Sequence, residues 1–152
     1  SYNHGVAFKI ASNLLLKQPN IAYKSLKKIY PLNHKESGME EYAIGNMYFG
    51  IDAISRIGFA PMPWITGTSG WIFKDVIELM CGIKPDYDGL IIDPCLPNAL
   101  KNIYLERVYQ GTRFKITIKN TGKKLILVDN KINKTNKIPL KRKKEINVIY
   151  EY

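Results

Sequence analysis

The stretch CGIKPDYDGLIIDPCLP, residues 81–97, decides the fold, because the hydrophobic period changes inside it. Upstream of Cys81 the apolar residues recur every three or four positions, as on a helix face. Downstream they alternate in twos or gather in short runs, as in strands. Gly82 is placed to cap a helix, since glycine enters the left-handed conformation that helix ends favour. PDYDG (85–89) then has the composition of a turn, and GLIIDPCLP (89–97) that of a short apolar strand ended by proline.

Toward the N-terminus, Val6, Ile10 and Leu14-Leu15-Leu16 fit a buried helix ended by the turn KQPN. Ile21, Ala22, Leu26 and Ile29 continue a second helix, stopped by Pro31. PLNHKESG (31–38) is a polar loop, and Tyr42 to Phe49 fits either a helix or a loop. Gly58, Pro61 and Pro63 interrupt regular structure ahead of WITGTSGW (64–71), and a third helix is expected from about Ser69 to Cys81. Toward the C-terminus, residues 103–109 and 112–119 alternate with period two around Gln110-Gly111, a hairpin signal. Lys124 to Asp129 and Glu145 to Tyr150 add two further strands. The expected organisation is therefore helical over 1–82 and an antiparallel β-sandwich over 83–152. Three helices do not close a bundle, so the helical part reads as the last portion of a larger all-α assembly.

Composition narrows the partners. Of the 152 residues, 45% are hydrophobic and 24% charged, the balance of a globular protein rather than a disordered one. No apolar run approaches the roughly 18 residues that span a bilayer, so no membrane role is expected. The chain starts at Ser1 with a helical pattern already under way and no signal peptide, which leads us to expect a piece of a longer, cytoplasmic polypeptide. Cys81 and Cys95 have neither disulfide-framework nor zinc spacing and are expected as buried free thiols, with no metal site. The net charge of +10 arises after residue 100, where 14 basic residues face 4 acids and KRKK (141–144) is the densest run. With 19 Lys and only 4 Arg in the chain, this excess reads as solvent-facing lysine, and no nucleic-acid partner is expected.

In WITGTSGW two tryptophans frame a loop of mostly small or hydroxyl-bearing residues that runs into a helix. Gly67 and Gly70 remove Cβ atoms there, so an anion can lie against helix-terminal amides with hydroxyls as further donors. The P-loop lysine and its spacing are missing, and a plain helix cap with glycines for tight packing accounts for the same residues. YNHGVAF (2–8) sets His4 at the mouth of the first helix, either as a structural donor or as a ligand for an anion whose other wall is the loop. His34 is expected to be solvated. Glu40 and Glu41 line a sugar pocket or a solvated loop face. Asp86, Asp88 and Asp93 occupy turn positions and receive no catalytic role. Trp64, Trp71 and Tyr48 either stack on sugars or belong to the core.

YNHGVAFK, SGMEEYAIGNMYFG, APMPWITGTSGW and CGIKPDYDGLIIDPCLP, in that order, resemble the C-terminal end of cellobiose and chitobiose phosphorylases, glycoside hydrolase family 94. The resemblance covers residues 2 to about 119. It implies the last helices of an (α/α)6 barrel followed by a small C-terminal β domain. It also implies inverting phosphorolysis, in which phosphate attacks the anomeric carbon of a β-linked disaccharide and a sugar 1-phosphate leaves. The site residues it implies are His4, Thr66 and Gly67 for phosphate and Glu40 for sugar. Inorganic phosphate is the co-substrate and no cofactor is implied. The family's general acid and phosphate-binding arginine lie upstream of this chain, so the chain alone is expected to be inactive. A missing upstream barrel half, or a homodimer, would be its partner. The alternative is a non-catalytic truncated remnant that serves as a carbohydrate- or protein-interaction module. Glu40-Glu41-Tyr42 stands where the family has Glu-Pro-Tyr, and the loop before it is shorter.

Overall fold

Helix α1 (Asn3–Leu15) buries Asn3, Ala7, Ile10 and Leu14, one face at three- and four-residue spacing. Leu15 and Leu16 are exposed, so the leucine run turns only one of its three members inward. The helix ends in a tight cap. Lys17 takes the left-handed conformation (φ 56°), its N–H donates to Leu14 O, and the Gln18 N–H donates to Asn13 O. Pro19 then opens α2 (Pro19–Ile29), where its missing N–H costs nothing. Residues 42–49 form no helix. They run irregularly, and Met47 bridges antiparallel to Tyr2. Helix α3 (Thr68–Lys74) passes without a break into a π-helical stretch, Asp75–Met80. The course expected for the third helix is kept, but its second half has wider turns than an α-helix.

The computed structural model describes residues 1–63, 65–141 and 143–152, in two compact units, Ser1–Val76 and Ile77–Tyr152. No helix among the described residues is long and apolar enough to cross a membrane.

The second unit holds eight strands among its described residues, so helices are followed by sheets as the change of period predicts. Strands β1 (Ile83–Asp86) and β2 (Gly89–Ile92) form a hairpin through Tyr87-Asp88, and β7 (Lys137–Pro139) pairs antiparallel with β2. The second sheet has the order β3 (Asn102–Tyr109), β4 (Thr112–Lys119), β8 (Glu145–Glu151), β5 (Leu125–Val128), β6 (Lys131–Ile132). Phe114, Ile116 and Ile118 of β4 and Ile146 and Val148 of β8 are buried, and they form the apolar core of that sheet.

The expectation of a wholly antiparallel sheet is corrected here: β8 runs parallel to β4, with Phe114 opposite Ile146 and Ile116 opposite Val148. The reason is connection length. Antiparallel neighbours can be joined by a two-residue turn, as β3 and β4 are, whereas β8 returns only after β5, β6 and β7 have been laid down. It then slots between β4 and β5 and pairs antiparallel with β5. Lys137 holds the smaller sheet together, its ammonium 2.8 Å from Asp86 and 2.7 Å from Asp88. These pairs give the two turn acids a structural role and keep the Asp86 carboxyl below its usual range. Cys81 and Cys95 are buried and unbridged, and burial pushes the Cys81 thiol up to about 11.

Candidate functional site

The first three residues pair with residues 46–48 of the irregular stretch, which fixes where His4 begins α1. The Asn3 N–H donates to Asn46 O at 2.8 Å, and the Tyr48 N–H donates to Ser1 O at 2.8 Å. The Asn3 side chain, fully buried, donates through Nδ2 to Gly45 O at 2.9 Å. Gly45 is packed so closely that a Cβ there would stand 2.9 Å from the Ala60 Cβ.

Across from this anchor, Thr66 Oγ1 accepts the Thr68 N–H at 3.1 Å and lies 2.6 Å from Thr68 Oγ1. It also lies 3.3 Å from Asn46 Oδ1, to which its hydroxyl can donate. At Gly67 an added Cβ would meet His4 Cε1 at 3.3 Å and Nε2 at 3.5 Å. The structure therefore brings His4 and Gly67 face to face, with Thr66 next to Gly67 along the chain. His4 Nε2 is buried without a hydrogen-bond partner among the described residues. Buried polar atoms are rarely left without a partner, which makes His4 Nε2 a candidate for contact with a polar ligand.

Beyond His4 the wall is aromatic. The His4 and Phe8 rings are 4.9 Å apart, and Phe8 meets Trp71 edge-on at 5.0 Å. Gly67, Gly70, Trp71 and Lys74 line a shallow pocket of about 290 Å³. The Lys74 ammonium stands 5.9 Å from the Trp71 ring centre. One imidazole nitrogen, main-chain amides and a nearby ammonium suit a small anion.

No family model matches the chain. Its sequence is 37% identical over 139 residues to a solabiose phosphorylase of Paenibacillus borealis, covering 86% of this chain and 18% of that protein. It is 31% identical over 98 residues to an N,N'-diacetylchitobiose phosphorylase of Vibrio furnissii, covering 60% of this chain and 12% of that one. A 3-O-beta-D-glucopyranosyl-beta-D-glucuronide phosphorylase of Paenibacillus borealis is 27% identical over 123 residues, covering 78% and 16% respectively. The chain is related to the C-terminal part of disaccharide phosphorylases of the cellobiose and chitobiose kind. It spans less than a fifth of the length of these phosphorylase relatives.

The other sequence candidates divide sharply. Glu40 is exposed, its carbonyl accepting the Ala43 N–H in a turn, and none of its described contacts reaches His4, Thr66 or Gly67. Tyr48 belongs to the core. It is 5% exposed, donates its hydroxyl to Ile29 O and stacks on His34 at 4.1 Å. His34 is not simply solvated, because its Nε2 lies 2.6 Å from Lys28 O at the end of α2. Trp64 lies outside the described residues, as does Arg142 of the KRKK run.

Asn3, Asn46, Thr68, Lys74 and Asp75 were not singled out from the sequence. The asparagines carry a faint signal, since Asn46 follows Gly45 in IGN and Asn3 precedes His4-Gly5 in NHG. Asp75 carries none. It is 1% exposed, its Oδ2 has no hydrogen-bond partner among the described residues, and burial pushes its carboxyl up to about 6. An acid so tuned could donate protons near neutrality, but Asp75 is closed off from any substrate.

Proposed function

We propose that this chain is the C-terminal portion of a cytoplasmic, inverting glycoside phosphorylase, and that His4, Thr66 and Gly67 hold the attacking phosphate. The observation that carries the reading is the approach of the His4 ring to the Gly67 backbone, with Nε2 buried and without a hydrogen-bond partner among the described residues. The phosphorylase relatives support it independently.

The chemistry asked of the site is limited. A phosphate oxygen forms the new bond to the anomeric carbon, the glycosidic C–O bond breaks on the opposite face, and an acid protonates the leaving oxygen. Phosphate takes the place of the activated water and its base in an inverting hydrolase, so the enzyme needs an anion cradle and a single acid. His4 Nε2–H and the main-chain N–H groups of Thr66 and Gly67 supply donors for the cradle, while the Thr66 hydroxyl proton is directed to Asn46 Oδ1. Donors fixed in advance keep the anion in line for attack without reorganising during the reaction. The acid and the remaining cation come from polypeptide upstream of Ser1. Asp75 is buried and cannot stand in for that acid. On this reading Glu40, exposed in its turn, supplies a sugar contact.

On this reading α1 to α3 are closing elements of an (α/α)6 barrel, and residues 83–152 form its C-terminal β domain. The first unit exposes Leu15, Leu16, Ile51, Ile54, Ile65 and Phe73, apolar surface of the kind that further helices cover. By itself the chain carries half of a phosphate site and turns nothing over. The substrates are a β-linked disaccharide and inorganic phosphate, and no organic cofactor takes part.

The test uses the polypeptide as its own cells make it, incubated with phosphate and either cellobiose or N,N'-diacetylchitobiose. Sugar 1-phosphate should form from one of them. His4→Ala should lower kcat/KM roughly 10- to 100-fold, the value of one hydrogen bond to a charged group. Equal turnover by wild type and His4→Ala would remove His4 from the site. No turnover of any disaccharide by the native polypeptide would favour a non-catalytic interaction module.

A further inference from the structure

Four buried side-chain atoms among the described residues of the first unit lack a hydrogen-bond partner: Asn3 Oδ1, His4 Nε2, Asn13 Nδ2 and Asp75 Oδ2. Asp75 is sealed off. Asn3 and His4 are consecutive, and Asn3 is the more deeply buried of the two, with none of its surface exposed. We infer that Asn3 is the positioning residue that sets the spacing between His4 and the Thr66-Gly67 wall. This inference rests on the phosphate reading for its function but on geometry alone for its structure.

The geometry is a closed ring of contacts. Asn3 addresses two successive carbonyls of one loop, through its N–H to Asn46 O at 2.8 Å and through Nδ2 to Gly45 O at 2.9 Å. Two donors on two neighbouring acceptors fix both the position and the orientation of that loop. The main-chain pairing with Asn46 and Tyr48 holds one edge of the loop, and the side-chain bond to Gly45 O adds the point that sets its tilt. Asn46 then extends its own Oδ1 to the Thr66 hydroxyl at 3.3 Å. Thr66 is bonded to Gly67, Gly67 faces the His4 ring, and His4 is bonded to Asn3, which closes the ring. Ala60 and Met39 leave no room for a side chain at Gly45, where an added Cβ would stand 2.9 Å from Ala60 Cβ and 3.0 Å from Met39 Sδ. The His4-to-Gly67 approach is therefore set by the hydrogen bonds and not by packing of the imidazole alone.

The residue type follows from the same arrangement. The side-chain atom facing Gly45 O must be a donor, which the Asn3 amide supplies. Aspartate has the same shape but would turn an oxygen toward that carbonyl and bury a charge with no counter-ion. Alanine leaves Gly45 O without this donor inside the protein.

The experiment compares wild type, Asn3→Asp and Asn3→Ala in the 152-residue chain by NMR. Two readouts are taken: the nuclear Overhauser contact between His4 Hε1 and the Gly67 α-protons, and the shift of His4 on titration with inorganic phosphate. The wild type should show the contact. Both variants should stay folded, lose it, and bind phosphate at least ten-fold more weakly. Retention of the contact and of phosphate affinity in either variant overturns the inference. So does unfolding of both variants, because Asn3 is then part of the core and not a device for placing His4. Should the wild type show the contact but bind no phosphate, the phosphate reading falls. Loss of the contact in the variants would still establish the positioning role.

Discussion

At Gly67 the absence of a side chain lets the His4 ring come close to the backbone. Its backbone (φ −79°) is open to alanine, but the new Cβ would stand 3.3 Å from His4 Cε1 and force the ring back by a few tenths of an ångström. Gly67→Ala should therefore change stability by less than about 1 kcal/mol. Phosphate affinity, followed by the His4 resonances, should fall about ten-fold, and an unchanged affinity would move the site elsewhere. Asp75 makes the opposite kind of prediction. Its folded-state pKa of about 6 lies above the ordinary 3.8, so the folded chain holds the proton longer than the unfolded chain does. Stability from this group is then highest below the unfolded value and is lost as pH rises from about 4 through 6, by about 3 kcal/mol in all. Asp75→Asn should flatten that decline, as read from melting temperatures between pH 5 and 7.5. A wild-type melting temperature that is level over this range would contradict the account. That His4 and the Thr66-Gly67 loop could face each other was raised in the sequence, where the residue types left an anion wall and a plain helix cap both open and the phosphate role came from the resemblance. Asn3, Asn46 and Asp75 were not legible, because the significance of Asp75 comes from burial and that of the asparagines from partners 20 or more positions away, which no local pattern records.

Among the elements, the junction at Gly82 is the least tolerant. Its φ is +71°, and a Cβ there would fall 2.0 Å from Asp93 O, the residue whose N–H donates to Gly82 O. Gly82→Ala faces both a left-handed backbone and an impossible contact with main chain. A loss of about 3 kcal/mol or more is expected, measured by chemical denaturation. A loss below about 1 kcal/mol would mean that the junction is looser than the structure shows. The hairpin at Gln110-Gly111 was legible for a related reason. Both residues have positive φ (46° and 78°), as the tightest hairpin turns require, and the flanking alternation leaves one register open. Strand β1 was hidden, because Pro85 within it reads as a turn residue while it pairs with Leu90 at the edge of the smaller sheet. The parallel pairing of β4 with β8 was also hidden. Strand direction depends on where a distant segment inserts, and the alternation of β8 is the same whichever way its neighbour runs.

For the whole molecule, the match to less than a fifth of each phosphorylase relative and the exposed apolar side chains of the first unit point the same way. The 152-residue chain should form no sugar 1-phosphate from cellobiose or N,N'-diacetylchitobiose at any phosphate concentration. Turnover by the isolated chain would mean that it contains an acid the account does not assign. The lysines of the C-terminal third supply a competing, non-specific anion surface, and salt distinguishes the two. Binding that rests on many exposed charges weakens steeply as salt rises, whereas a small cradle of oriented donors is less affected. The most direct measurement of the central claim is therefore a titration of the isotopically labelled chain with inorganic phosphate at near-physiological salt, followed residue by residue by NMR. The account predicts saturable shifts at His4, Thr66 and Gly67 that fit a single affinity. Shifts confined to the lysines between residues 123 and 144, or none at all, would contradict it.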